Sequence, residues 1–290
     1  MEIISPKLDF CAKELFANPI IRKYFISDVT GIKVEDIKSI RLCNPYLWKR
    51  YRRQKQGILD MLVELNNDTK VNIELQVKFY MYWEKRSLFY LSKMYTEDLR
   101  TGENYAKLKK SISISILDYN LTNDPKYHST YYLRDENGRV FTDLFEVHII
   151  ELGKTLNGNS TVDDWIRFFN ARSEEELDMI HTQNVGINTA IEEVKKMSLS
   201  EHMRTRYEAH MKEIRDRNAR EDYVRQQGIE CGRQEGIQEG RQEGRQKGRQ
   251  EGRIMQLIDL VKEGILDESV AQQKSGLSEE EFKKYFSQKD

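Results

Sequence analysis

Two carboxylates, Asp60 and Glu74, lie in the stretch of the sequence that is best suited to chemistry. Two runs of alternating, β-prone residues near 57–65 and 70–79 flank the polar turn Asn66-Asn67-Asp68 and predict a β-hairpin. Side chains two apart on a strand point to one face, so carboxylates on neighbouring strands could converge. Both acids are embedded among Ile, Leu and Val, where a carboxylate is costly unless it is paired, hydrogen-bonded or bound to a metal. A divalent cation would remove that cost.

The spacing of these acids carries a family resemblance. A lone Asp or Glu on the solvated face of an antiparallel hairpin is more often a surface residue than a site. Here Asp60 is followed by Glu74-Leu75-Gln76, and the pattern resembles the metal-binding core of the PD-(D/E)XK nuclease superfamily, in its branch of recombination-promoting nucleases and transposases (the Rpn family). In that branch an Asp opens one strand, and Glu-x-Gln on the next strand replaces the usual Glu-x-Lys.

The resemblance implies a metal-dependent endonuclease that acts on DNA. Asp60 and Glu74, helped by the backbone carbonyl of Leu75, would hold Mg²⁺ or another divalent cation, which activates water and stabilises charge on the phosphate. Gln76 would orient the attacking water, so the expected catalytic residues are Asp60, Glu74 and Gln76. Because Gln carries no charge and is not a base, the rate and the metal dependence stay open. Glu64 could be an auxiliary ligand, although a residue of the solvated face is the favoured interpretation.

Two parts of the sequence could contact nucleic acid. Five cations occur among the seven residues 49–55, beside aromatic rings, which suits a phosphate backbone and an unstacked base. A solvated loop is an equal alternative for this basic segment, whose candidate contacts are Lys49, Arg50, Arg52 and Arg53. On the helix predicted after the hairpin, Arg86 and Tyr90 match a pair that recurs in the family. Arg86 could contact the scissile phosphate, or it could pair with a nearby carboxylate.

The elements that must position these residues follow from the hydrophobic periodicity. Residues 6–30 predict two packed helices that start near Ser5-Pro6, and residues 81–99 predict a helix in which Leu88 and Leu91 pack inward. Strands are expected at 37–42, 111–119, 129–134 and 140–151, with Asn137-Gly138 turning the last pair. This order predicts an α/β fold: a restriction-endonuclease-like central mixed sheet flanked by helices. The family resemblance covers about residues 5–152, and at its start it is carried by Asp9, Lys13, Leu15 and Phe16. For Asp9 and Lys13 taken individually, solvated charges on an amphipathic core helix are the favoured interpretation.

An α-helical C-terminal region is expected to follow this nuclease-like domain at 1–155. It divides into a helical region at 156–225, a repeat segment at 226–253 and a small helical tail at 254–290. Seven glycines recur every four residues between Gly228 and Gly252. Each costs a helix about 0.8–1 kcal/mol relative to Ala, so the repeat either packs against a partner helix or is a mobile linker. Its regularity favours homo-oligomerisation, because flexible linkers need no fixed period.

Composition limits the remaining possibilities. The chain has 290 residues, of which 33% are charged and 38% are hydrophobic. Its formal net charge is only −1, so the molecule as a whole lacks the excess of positive charge typical of nucleic-acid-binding proteins. Any surface that binds nucleic acid must therefore be local. Three distant cysteines fit reduced thiols, and the N-terminus lacks the features of a signal peptide, so a cytoplasmic protein with no membrane span is expected. The functional hypothesis is a DNA endonuclease associated with recombination, mobile elements or phage defence. The alternative is a catalytically degenerate nuclease fold that serves as a DNA-binding or protein-interaction module.

Overall fold

The computed structural model describes residues 2–47, 57–58, 60–66, 68–156, 158 and 160–287. Its contacts divide the chain into two compact units, Met1–Ala209 and His210–Asp290. The domain boundary expected at residue 155 lies inside the first unit. The basic segment at 49–55 and the turn residue Asn67 lie outside the described residues.

The first unit opens with the two helices that the sequence predicts. Helix α1 spans Asp9–Ala17 and helix α2 spans Pro19–Thr30. Helix α1 begins later than the predicted Ser5-Pro6 start. The side chain of Asn18 caps α2 by accepting from the N–H of Ile20, and buried Arg22 donates to the carbonyls of Phe16 and Ala17 at 2.6 and 2.7 Å. These bonds satisfy carbonyls that the end of α1 would otherwise leave without partners, so they fix the corner between the helices.

The strands of this unit are β1 (Ile40–Cys43), β2 (Tyr46–Leu47), β3 (Gly57–Ile58), β4 (Met61–Leu65), β5 (Thr69–Gln76), β6 (Lys110–Leu117), β7 (His128–Arg134) and β8 (Val140–Glu151). A mixed sheet has the order β1-β4-β5-β6-β8-β7, in which β5, β6 and β8 are parallel and the other neighbours are antiparallel. The predicted strand at 57–65 is interrupted, because β3 pairs with β2 in a separate sheet and only β4 joins the main one. Asp60 therefore lies immediately before β4.

Helices cover both faces of the mixed sheet. Helix α3 (Trp83–Thr96) connects β5 to β6 and packs Leu91 and Met94 against Leu62. The opposite face is covered by α1 and α2 together with α4 (Thr161–Asn170) and α6 (Val185–Leu199), while the short α5 spans Glu174–Asp178. The predicted α/β sandwich with a central mixed sheet is confirmed. Leu88, expected to face inward, is exposed.

Helix α7 spans Glu201–Lys262, and its residues from His210 onward belong to the second unit. The glycine repeat is helical, and nothing lies within 4 Å of the position that a Cβ would occupy at any of its seven glycines. Helices α8 (Glu268–Ser275) and α9 (Glu279–Ser287) follow, as predicted, and a small core joins them to the end of α7 through Ile254, Ile258, Ala271 and Phe282. Within the part of the chain that the structure describes, no helix is both long and apolar enough to cross a membrane.

Candidate active site

The structure brings Asp60 and Glu74 together at one end of the hairpin. The β4–β5 register pairs Met61 with Ile73, so Asp60, one residue earlier, stands opposite Glu74. The backbone N–H of Leu75 donates a hydrogen bond to the Asp60 carboxylate. On the other side of β5, the carbonyl of Gln76 accepts from the N–H of Asp118 at 2.9 Å. Because successive residues of a strand point their backbone groups to opposite sides, the backbone of Leu75 faces the Asp60 side.

Both carboxyl groups are held in surroundings that disfavour their charge. Glu74 is 4% exposed, and burial raises its pKa; the nearby Arg86 opposes that rise, and the Asp60 charge adds to it. Burial also raises the pKa of Asp60, and the Asp9 carboxylate adds to the effect while Lys13 opposes it. Two acids that repel one another in a desolvated place are a common feature of functional sites.

Arg86 forms an ion pair with Glu74. Its Nη2 donates to Oε1 of Glu74 and, at 2.5 Å, to Oε1 of Gln76. Of the two interpretations that the sequence left open, the structure therefore contains the ion pair with a carboxylate. The second carboxylate oxygen of Glu74, Oε2, is buried and has no hydrogen-bond partner among the residues that the structure describes. The guanidinium thus compensates only part of the charge at the site.

A layer of polar side chains lies between α3 and the sheet behind these residues. Within the described part of the chain, most buried side-chain atoms that lack a hydrogen-bond partner belong to it: Asn72 Oδ1, Glu74 Oε2, Trp83 Nε1, Arg86 Nε, Ser87 Oγ, Ser115 Oγ and Tyr119 Oη. Buried polar atoms are normally paired in folded proteins, and exceptions cluster where water, ions or ligands bind. The concentration of such atoms here marks the α3 side of β5 and β6 as the functional region.

Tyr119 and Tyr80 belong to the site although the sequence analysis did not identify them. The guanidinium of Arg86 lies over the Tyr80 ring, 5.2 Å from its centroid. Burial raises the pKa of Tyr119, whose hydroxyl is influenced by both Arg86 and Glu74, so this group remains a proton donor at neutral pH. One signal could have found Tyr119: it follows β6, and neighbouring parallel strands end at the same edge of a sheet.

The N-terminal pair that carried part of the family resemblance also lies at this edge. Asp9 and Lys13 form an ion pair of 2.8 Å on α1, and both influence the pKa of Asp60. They are exposed, as expected for charges on an amphipathic helix. The helix therefore places one further acid and one base close to Asp60, with Lys13 adding positive charge near the Asp60 carboxylate.

Other candidates from the sequence lie elsewhere or cannot be placed. Tyr90, a residue of α3, is partly buried and packs against the cluster that contains Leu62 and Leu91. Glu64 is buried, contrary to the favoured solvated interpretation, and pairs with Arg41 and with Lys109, the latter at 2.5 Å. These two cations engage both of its oxygens. The proposed DNA contacts that fall outside the described residues are Lys49, Arg50, Arg52 and Arg53.

A comparison with known families gives the class of protein to which this fold and site belong. Residues 6–223 match the family described as PD-(D/E)XK nuclease family transposase. The chain belongs to this family. The matched residues continue well beyond residue 152, where the resemblance noted in the sequence ends. No curated protein and no solved structure matches the chain. Membership supports a nuclease- or transposase-type function, with DNA as the partner that the family suggests.

The donor atoms at the site fit a divalent cation of the kind that these nucleases generally use. Among the residues that the structure describes, no three His, Cys, Asp or Glu side chains are placed to share a metal ion. Asp60 and Glu74 nevertheless offer two carboxylates, one of them with the buried and unpaired Oε2. Mg²⁺ is commonly held by one or two carboxylates, with water and substrate phosphate completing its shell. The residues present are therefore sufficient for Mg²⁺ and insufficient for a closed protein cage.

Proposed function

We propose that this protein is a metal-dependent endonuclease that hydrolyses phosphodiester bonds in DNA. The observation that carries the proposal is the buried Oε2 of Glu74, for which the described residues offer no hydrogen-bond partner and which belongs to a carboxylate standing opposite Asp60. A desolvated carboxylate oxygen without a donor is costly, and a cation bound between the two acids relieves that cost. The family supports the same reaction class.

Asp60 and Glu74, with the backbone carbonyl of Leu75, would hold the cation. When bound, Mg²⁺ supplies Lewis-acid stabilisation of the phosphate and lowers the pKa of water. Gln76 contributes by position rather than charge: its side-chain oxygen accepts from Arg86, which leaves its amide N–H groups to orient a water or a phosphate oxygen. This division of roles gives Gln76 the orienting task that Lys performs in most of the superfamily.

Arg86 has two successive roles in this proposal. Before the cation binds, its guanidinium compensates Glu74 and holds Gln76. With a divalent cation held by the two carboxylates, the Arg86 guanidinium would be available to the scissile phosphate, for which Arg is well suited. The cation–π contact with Tyr80 keeps the side chain close to the site in both states.

The basic segment at 49–55 is proposed as the surface that follows the DNA backbone. Neutralising Arg50, Arg52 and Arg53 together should weaken binding to every DNA sequence and reduce the salt dependence of binding by up to about three released counterions. An unchanged slope of log affinity against log salt would instead identify a solvated loop. The biological setting that we propose for the cleavage is recombination, mobile-element transfer or phage defence.

A degenerate fold without catalysis is the second candidate, and one observation favours it: Arg86 already occupies part of the carboxylate site. Titration calorimetry with Mg²⁺ or Mn²⁺ separates the two candidates. We expect the wild-type protein to bind the metal and the Asp60→Ala variant to lose that binding. Glu64→Gln is the matched control, because Glu64 is also a buried carboxylate on the hairpin but is paired with two other cations. Equal binding by wild type and Asp60→Ala would refute the metal site.

A further inference from the structure

The segment between β5 and α3 exposes a run of large apolar side chains directly after Gln76. Phe79 is 66% exposed, Tyr82 is 55% exposed, and Tyr80 and Met81 beside them are also exposed. Large apolar groups that cluster on a surface usually mark a place of interaction. Their position in the chain, three to six residues after the proposed catalytic side chain of Gln76, places that surface next to the site.

The segment is held firmly at both ends. Its first end continues from β5, and at its second end the N–H of Trp83 donates to the carbonyl of Tyr80 at 3.0 Å. The Trp83 ring is buried with Leu117 and Ile149. Phe79 lies edge-on to the Tyr119 ring, with 5.5 Å between the ring centroids. Exposed rings that are fixed in this way lose little conformational entropy when a ligand stacks on them.

Positive charge accompanies the exposed rings. The ammonium of Lys85 lies 5.5 Å from the centroid of the Tyr82 ring, and the guanidinium of Arg86 lies over Tyr80. An apolar protein partner would bury the Lys85 ammonium away from water, which is costly for a charged group. A strand of nucleic acid matches both features, because its bases present π faces to the rings and its phosphates present negative charge to the cations.

We propose that the exposed rings of Phe79 and Tyr82 form a stacking platform for unpaired bases, so that the protein selects DNA with single-stranded or distorted positions next to the scissile phosphate. Bases within an intact duplex are covered by their neighbours and cannot stack on a side chain unless they leave the helix. The inference rests on the proposed nuclease function for the meaning of the scissile phosphate, but the binding preference can be measured without any cleavage.

Fluorescence anisotropy in EDTA, where no cleavage occurs, provides the test with the full-length protein. The probes are a labelled single strand of roughly 20 nucleotides, longer than one binding site, and the same strand in a duplex. We expect tighter binding to the single strand, and we expect Phe79→Leu and Tyr82→Leu each to weaken that binding by about fivefold or more. Leu keeps an apolar side chain but has no π face. Phe79→Trp should retain the affinity, because Trp also has a π face. Phe141 is 85% exposed on β8, and the control variant Phe141→Leu should leave the affinity unchanged.

The same variants distinguish failure of the platform from failure of the nuclease function. If the folded Leu variants bind the single strand as wild type does, or if wild type does not prefer it over the duplex, the platform is refuted whatever the protein cleaves. If wild type cleaves no DNA in Mg²⁺ but the Leu variants lose single-strand binding, the nuclease function fails and the platform stands. Asp60→Ala should abolish cleavage and leave single-strand binding intact.

Discussion

Replacing Arg86 with Met tests whether its guanidinium is the charge partner of the carboxylate pair. Met keeps an apolar side chain of similar length on α3 and removes the donor that reaches both Glu74 and Gln76. The variant leaves Glu74 desolvated beside Asp60 with no compensating cation. We therefore expect the folded state to lose stability in the absence of metal and to regain part of it when metal binds.

The size of this loss follows from how buried each partner is. Removing one member of a buried ion pair costs about 3–5 kcal/mol, because the remaining charge stays out of water. The side chain of Glu74 is 5% exposed and that of Arg86 is 26% exposed, so we expect the low end, about 3 kcal/mol. For a unit of this size that loss lowers the melting temperature by roughly 6–12 °C.

Urea denaturation of wild type and Arg86→Met, with and without Mg²⁺, measures the effect. In the variant, burial and Asp60 raise the pKa of Glu74 with no cation to oppose them. The native variant then binds a proton at a higher pH than the unfolded chain does, so its stability should rise as the pH falls from neutral toward the ordinary pKa of Glu. If the folded site binds Mg²⁺ as proposed and the unfolded chain does not, Mg²⁺ should stabilise the variant at neutral pH.

Arg41→Met is the matched control, because Arg41 also pairs with a buried Glu on the hairpin. Arg41 is 71% exposed, and Glu64 keeps Lys109 as a second partner, so this variant should lose less than about 1 kcal/mol. The electrostatic account of the site is wrong if Arg86→Met lowers the free energy of unfolding by no more than Arg41→Met does. It is also wrong if the loss of stability in Arg86→Met does not change with pH, because the guanidinium is then not the compensating charge.

Three further predictions concern other parts of the molecule. Burial, His148 and Lys126 lower the pKa of His128 to about 4. Between pH 6.5 and 4 the unfolded chain therefore binds a proton before the folded protein does, and the free energy of unfolding should fall by on the order of 2 kcal/mol. A His128→Gln variant that shows the same fall would contradict this. Phe282→Ala should lower the stability of the second unit by about 3–5 kcal/mol, because Phe282 belongs to its small core. In hydrogen exchange, α8 and α9 should then lose amide protection while β5 and β6 keep theirs. Retained protection in α9 would count against this prediction. Truncation after Arg220 should reduce the mass seen by light scattering from a dimer or larger to a monomer, and a monomeric full-length chain at tens of micromolar would show that the glycine repeat is not an interface.

Local patterns were sufficient to predict the elements that carry the catalytic candidates. Alternation over 57–80 gave the hairpin, and the β4–β5 register places Asp60 opposite Glu74 as that alternation requires. The start of α1 was less certain, because Ser5-Pro6 is a favourable helix start by itself and the helix begins at Asp9. Periodicity also could not distinguish exposed Leu88 from buried Leu91 on α3, because only the position of the sheet decides which of them is covered.

The parts of the site that the sequence patterns left unpredicted depend on contacts between distant residues. Tyr119 comes to the site because β6 runs parallel to β5, a pairing set by the crossover through α3. The partner of Arg86 was left undecided, because a phosphate and a carboxylate attract the same guanidinium and only the packed structure selects Glu74. For the glycine repeat, propensity argued against an isolated helix, yet the segment is helical with open space beside its glycines. That open space is where we expect a second copy of the chain to pack.

Plasmid cleavage by the purified full-length protein tests the central claim most directly. Wild type should nick or cut plasmid DNA in Mg²⁺ and not in EDTA, whereas Asp60→Ala and Glu74→Ala should be inactive and remain folded. Asp60→Ala removes a charge that repels Glu74. Glu74→Ala breaks the ion pair with Arg86, but that guanidinium is 26% exposed and keeps its hydrogen bond to Gln76. Glu64→Gln, prepared in the same way, should stay active and thereby exclude a contaminating nuclease as the source of the signal. Cleavage retained by Asp60→Ala or by Glu74→Ala, at the wild-type rate and after the same purification, would contradict the assignment of these two carboxylates as the catalytic site.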